Sequence, residues 1–209
     1  SFGSTRKLNT KVEEDPQVQA LIDSETEYVC IVGKSSNLHI TKALETDVDN
    51  AISMAVDTVR FLKENNRKVF FDAEHFFDGL KENAEVTLKI LDSVVKEGVE
   101  CFIFCDTNGG TLPHEVTELL NPIIEKYPNQ EFGVHFQNDN GCAVTNSLAA
   151  VNLGVKHVQG TMNGYGERTG NADLCTLLPN LSLKMNLETV PEKSLEKLTP
   201  IANHIAELV

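Results

Sequence analysis

Residues 101–107 read "CFIFCDT": five apolar residues of both parities, then Asp106 and Thr107. A strand with one wet face alternates apolar and polar positions. One that is apolar on both faces is covered on both, as in parallel sheets flanked by helices. The next stretch opens with Pro113 and carries Val116, Leu119, Leu120 and Ile123, ending before Pro128. Those three- and four-residue steps are the spacing of an amphipathic helix. The same couple recurs on either side. "YVCIVG" (28–33) precedes a helical stripe of Val48, Ile52, Ala55, Val56, Val59 and Leu62. "KVFFDAEHF" (68–76) precedes Val86, Leu88, Leu91, Val94 and Val95, closed by Gly98. "EFGVHFQ" (131–137) precedes a helix over 142–153 ended by Gly154, and "KHVQGTM" (156–162) is a further strand. Strands alternating with helices in this way predict parallel βαβ units.

Two architectures use such units, a closed barrel and an open doubly wound sheet. No glycine-rich turn follows the first of these strands, which weakens the dinucleotide-binding version. The polar residues separate the two. They collect at strand ends as Asp72, Glu74 and His75, then Asp106, Thr107 and Asn108, then His135, Gln137, Asn138 and Asp139, then Asn163, Glu167, Arg168 and Asn171. In a barrel these groups converge on one mouth, where such enzymes keep their chemistry. The expected fold is therefore α/β, a partial (β/α)8 TIM barrel. Its catalytic domain is expected to occupy residues 1–186. Residues 187–209 are expected to begin a C-terminal helical linker, with a stripe of Leu195, Leu198, Ile201, Ile205 and Leu208 that Pro200 should kink or divide.

Composition bounds the partners. Of 209 residues 41% are hydrophobic, ample for one buried domain. The net charge of −13 makes nucleic acid or an anionic membrane an unsuitable partner. No apolar stretch approaches the roughly 18 residues of a membrane span. Five cysteines, at 30, 101, 105, 142 and 175, are expected to be reduced thiols of a cytoplasmic protein. Cys101 and Cys105 share a strand face but have no second pair to build a zinc cage. The chain opens without Met and is read as starting inside a larger protein.

Residues 133–141, "GVHFQNDNG", place His135 and Gln137 on one face of a strand. His135 is a good metal ligand. Gln137 offers an amide oxygen, a weaker neutral donor, and Asn171 or a carboxylate would complete a site with open positions. Glu74 can act as a base, or pair with His75 on a solvated rim. Thr107 can hydrogen-bond a substrate carboxylate or carbonyl, or tie down the "NGG" turn. In "NGYGERTGN" (163–171), backbone N–H groups and Arg168 can receive an anion. Alternatively, Glu167 and Arg168 make structural ion pairs.

Taken together, "FDAEHFFDG", "CDTNGGTLPHEV", "GVHFQNDNGCAVTNSLAA" and "NGYGERTGNADL" resemble the citramalate synthase and 2-isopropylmalate synthase family. These are metal-dependent TIM-barrel acyltransferases and lyases. The resemblance runs from "FGSTRK" to about Met185, and "EHFFDG" is nearer the citramalate synthase branch. It implies condensation of acetyl-CoA with a 2-oxo acid, pyruvate giving citramalate, with branched-chain amino acid biosynthesis as the setting. It implies a divalent metal (Mg, Mn or Zn) held by His135, position 137 and Asn171. Glu74 would belong to the acid/base machinery together with Thr107. Thr107, Asn138, Glu167 and Arg168 would face substrate, and the intact protein would be a homodimer.

Two departures stand out. Position 137 is Gln137 where the family has the second histidine of an HxH motif. The family's first two strands, with an Arg-Asp pair, have no counterpart, so the sequence is expected to open at the end of strand three. The isolated 209-residue piece is accordingly expected to be inactive and poorly behaved. A soluble, monodisperse and active piece would contradict this. Three alternatives follow. The first is a 2-isopropylmalate or homocitrate synthase-like activity. The second is a lyase running the cleavage direction. The third is a non-catalytic oxo-acid- or CoA-binding barrel that has lost its metal through Gln137.

Overall fold

In the computed structural model the strands are Phe2–Ser4 (β1), Tyr28–Lys34 (β2), Lys68–Glu74 (β3), Cys101–Asp106 (β4), Phe132–Phe136 (β5) and His157–Gln159 (β6). The helices are Pro16–Asp23 (α1), Asn37–Lys42 (α2), Val48–Glu64 (α3), Phe76–Lys96 (α4), Pro113–Lys126 (α5), Ala143–Asn152 (α6), Leu174–Pro179 (α7), Glu192–Leu195 (α8) and Leu198–Leu208 (α9). Residues 1–209 are described, apart from the side chain of Glu192. The strands form one parallel sheet in chain order, β1 to β6, with β1 and β6 at its edges. No reversal of strand order occurs, so there is no switch point of the doubly wound kind. The arrangement is that of a partial (β/α)8 barrel.

Alternation along the strands sends different residues to the two faces. Val29, Ile31, Val69, Phe71, Phe102, Phe104, Phe132, Val134 and Phe136 face the helices and join the main core. The helices answer with one apolar side each. On α3 it is Ala51, Met54, Ala55, Val59 and Leu62, and the helix is capped by Asp47, which accepts from the Asn50 N–H at 2.8 Å. The inner face carries a small separate cluster of Cys101, Ile103 and Cys105 with Cys30 and Phe70. Cys101 and Cys105 do share a face, and all five cysteines are free thiols. In register with this cluster stand Lys34, Asp72, Glu74, His135 and Gln159, so the inner face turns polar toward the C-terminal ends of the strands.

Several boundaries differ from the sequence reading. The third strand ends at Glu74, and α4 begins at Phe76, ten residues before Val86. "HFF" reads equally as strand or buried helix; the chain turns at His75, whose left-handed backbone (φ 59°, ψ 34°) ends extension at once. A break at Asn83 (φ −154°, ψ 86°) interrupts α4. The periodicity also passed over β1, α1 and α2, each eight residues or shorter. The tail divides in two, as Pro200 suggested, but between Leu195 and Leu198; Pro200 sits in the first turn of α9, where its missing N–H costs nothing. α9 lies back on the loop after β6, with the Asn163 Nδ2 donating to the Ala202 carbonyl at 2.8 Å. Among the described residues no helix is long and apolar enough to cross a membrane.

Candidate active site

Lys34 and Glu74 are register partners at the ends of β2 and β3, and their side chains form an ion pair. The Glu74 carboxylate also lies 3.9 Å from the His75 Nε2. His75 is fixed from three sides. Its backbone N–H donates to the Thr107 Oγ1 at 2.8 Å, its ring stacks on His39 at 3.5 Å, and its Nδ1 is 3.6 Å from Asp78. A non-glycine residue in the left-handed region is strained by roughly 1–2 kcal/mol, and these contacts hold it there. The His75 imidazole and the Asn108 amide, which donates to Asp78 at 2.8 Å, keep the Asp78 carboxyl below its usual range. Burial, the stacked His75 and the Lys34 charge push His39 down.

The loop after β4 is locked to its neighbours. Asp106 is buried and its Oδ2 accepts the Thr111 N–H at 3.0 Å. Burial pushes this carboxyl up. The Thr111 carbonyl in turn accepts from Asn140 (2.8 Å) and Asn146 (2.7 Å).

After β5, Gln137 and Asn171 pair across an antiparallel bridge, which brings the "GN" pair of the glycine loop beside the "HFQND" segment. Both side chains are buried, and among the described residues nothing donates to the Gln137 Oε1 or the Asn171 Oδ1. A Cβ on Gly166 would run into the Asn171 amide and displace it. Asn138 is turned to structure: its Oδ1 accepts the Ala143 N–H at 3.1 Å, and its N–H donates to the Gly170 carbonyl. Arg168 donates to both Asp139 oxygens (2.9 and 3.0 Å) and to the Thr107 carbonyl (2.6 Å), with Glu167 at 3.3 Å. The structural reading of Arg168 and Glu167 thus describes their contacts, and the guanidinium joins three strand-end loops. Hydrogen bonding to Arg168 holds the Asp139 carboxyl below its usual range.

Deeper inside, the Asp72 Oδ1 accepts from the Cys30 thiol (3.2 Å) and the Gln159 Nε2 (2.9 Å), while the Gln159 Oε1 lies 2.9 Å from the His135 Nδ1. Asp72 is therefore an interior strand residue and not part of the rim. Lys34, His39 and Gln159 were missed by sequence reasoning. Lys34 and Gln159 share strand parity with Cys30 and His157, but only the cross-strand register reveals their partners.

The expected metal donors come to one imidazole and two amide oxygens. Among the described residues no three His, Cys, Asp or Glu side chains are placed to hold a metal ion. The two buried amide oxygens without donors fit a hard divalent cation, which prefers oxygen ligands. Such a neutral set binds more weakly than one with a carboxylate.

A parallel βα sheet in chain order, with its polar groups gathered at the strand C-termini, is the arrangement of a TIM-type barrel. The HMGL-like family model matches residues 8–205, and the chain belongs to that family. It is 49% identical to an (R)-citramalate synthase of Aquifex aeolicus, over all of this chain and 40% of that protein. Its fold matches the HMG-CoA lyase of Bacillus subtilis with a TM-score of 0.81 at 17% identity, over 99% of this chain and 69% of that one. It also matches an Acinetobacter baumannii HMG-CoA lyase in complex with coenzyme A and 3-methylmalate, with a TM-score of 0.79 at 18% identity, over 99% and 67%. The chain thus spans about 40% of the length of the curated relative it matches.

Proposed function

We propose that this chain is part of the catalytic barrel of an acyltransferase that condenses acetyl-CoA with pyruvate to give citramalate. The observation that carries the reading is the placement of Glu74 at the same end of one sheet as His135, Gln137 and Asn171. The 49% identity to a citramalate synthase supports the choice of pyruvate. In this reading Glu74, oriented by Lys34, takes a methyl proton from acetyl-CoA. The resulting carbanion attacks the ketone carbon of pyruvate. The ketone oxygen gains a proton, and water then cleaves the thioester to release CoA.

His135, Gln137 and Asn171 would hold the divalent metal, which supplies Lewis-acid polarisation of the oxo acid when bound. The Thr107 hydroxyl accepts from the His75 N–H and keeps its own proton for a substrate oxygen. Asn138, Glu167 and Arg168 shape the loops that face the substrate. Residues 187–209 begin a helical linker, the intact protein is a homodimer by family resemblance, and free thiols suit a cytoplasmic setting.

Gln137 favours one second reading, a binding barrel without catalysis. Mass-spectrometric analysis of the intact protein with acetyl-CoA and pyruvate, 2-oxoisovalerate or 2-oxoglutarate tests both. Citramalate from pyruvate alone supports the proposal. Products from the longer oxo acids point to an isopropylmalate or homocitrate synthase, and no product from any of them supports the binding barrel.

A further inference from the structure

We infer that Asp72 and Gln159 act as a relay that fixes His135 in one tautomer, with the proton on Nδ1 and the Nε2 lone pair free. Three contacts carry this. Asp72 is an acceptor at Oδ1, where it receives the Cys30 thiol at 3.2 Å and the Gln159 amide at 2.9 Å. Burial and the adjacent Asp72 push the Cys30 thiol above its usual range, so it remains an S–H donor. A carboxylate that accepts from Gln159 forces the Gln159 NH2 to face it. The Gln159 carbonyl oxygen is then the group 2.9 Å from the His135 Nδ1. A carbonyl oxygen only accepts, so Nδ1 must carry the hydrogen.

An imidazole that donates from one nitrogen to a fixed acceptor has its other nitrogen oriented and more basic. Gln159 is the last residue of β6 and a register partner of His135 on β5, while Asp72 comes from β3 across the interior. The relay therefore ties three strands to one ring. Gln159 and Asp72 are positioning residues: they act through His135. The consequence for metal affinity rests on the reading of His135 as a ligand; the tautomer itself does not.

The test uses the intact protein labelled with [15N]histidine and stripped of metal by a chelator. Magic-angle-spinning 15N spectra are compared with those of His135→Gln to assign the ring. The wild type should show a protonated Nδ1 and a bare Nε2. Gln159→Leu should lose that preference. The double variant Asp72→Asn with Gln159→Glu, which exchanges donor and acceptor along the relay, should retain it. A wild-type His135 protonated on Nε2 overturns the relay. So does an unchanged tautomer in folded Gln159→Leu. Titration with Mn2+, read by electron paramagnetic resonance, separates the two claims. If His135 is a ligand, Gln159→Leu should weaken Mn2+ binding by about 10–100-fold, with recovery in the exchanged pair. A correct tautomer in a wild type that binds no Mn2+ upholds the relay and removes the metal reading.

Discussion

Gln137 and Asn171 face one another across an antiparallel bridge, each with a buried side-chain oxygen to which no described residue donates. A native structure leaves few such atoms, because burying an acceptor without a partner costs about 1–3 kcal/mol. The bridge brings two of them to one site, where a bound cation would satisfy both. Gln137→Met keeps the length and removes the polar end. It should leave stability unchanged or raise it by up to about 1 kcal/mol in urea unfolding, and it should weaken Mn2+ binding. A loss of stability of more than about 1 kcal/mol would mean that the oxygen is satisfied in solution.

Gln137→His replaces a weak neutral oxygen with a strong nitrogen donor. It should tighten Zn2+ binding by at least about tenfold, roughly 1.4 kcal/mol, measured by competition with a chromogenic chelator. Unchanged affinity would mean that position 137 does not reach the ion. A catalytically dead barrel would stay dead after this change, whereas a weakened enzyme would gain activity at limiting metal.

Glu74 and Lys34 are joined at the ends of adjacent strands. Glu74→Gln keeps the shape and removes the base. It should lower kcat of the intact protein by about 10²–10⁴-fold with little change in KM. Lys34→Met should lower kcat less, since Lys34 acts through Glu74. Equal effects on KM alone would assign both residues to binding.

Much of this was legible in the sequence, and the illegible part has a common cause. Strand ends such as "CDT" and "HFQND" announce themselves because polar residues follow apolar runs directly. The bridge between Gln137 and Asn171 was foreseeable only through a family resemblance, since 34 positions separate them. Lys34 and Gln159 gave no local signal, and Asp72 read only as one more polar strand-end residue. Their partners lie 24 to 87 positions away, and parallel register, which no short window contains, brings them together. His75 shows the opposite failure: local pattern suggested a strand to residue 76, and one left-handed residue ended it two positions earlier.

His157 gives a pH dependence with a definite sign. Burial, with the Phe70 ring 5.1 Å away, lowers its pKa from 6.5, and the Asp72 charge offsets this only in part. Below about pH 6.5 the unfolded chain therefore binds a proton that the folded one refuses. Stability should fall as the pH drops from 6.5 through the lowered folded value. His157→Gln should flatten that limb in urea midpoints measured between pH 8 and 5. A variant and wild type that lose stability in parallel would assign the slope to other groups, His39 among them.

Gly79 lies in α4 where a Cβ would meet the Thr87 Oγ1 at 2.5 Å, the Ser35 carbonyl at 2.9 Å and the Ser36 Cα at 3.1 Å. Two of these are backbone atoms that cannot swing aside. Gly79→Ala should destabilise by about 1–3 kcal/mol despite its better helix propensity. A neutral or stabilising result in thermal unfolding would show that the Ser35–Ser36 turn before α2 does not pack on α4 in solution.

CoA release from acetyl-CoA by the intact protein, followed with and without pyruvate and with and without a chelator, separates metal-dependent catalysis from binding alone. Release should require pyruvate, be abolished by the chelator and return when Mn2+ or Mg2+ is restored. Release that ignores the chelator would contradict the donor set of His135, Gln137 and Asn171. No release with pyruvate or any longer 2-oxo acid would contradict catalysis itself and leave a binding barrel.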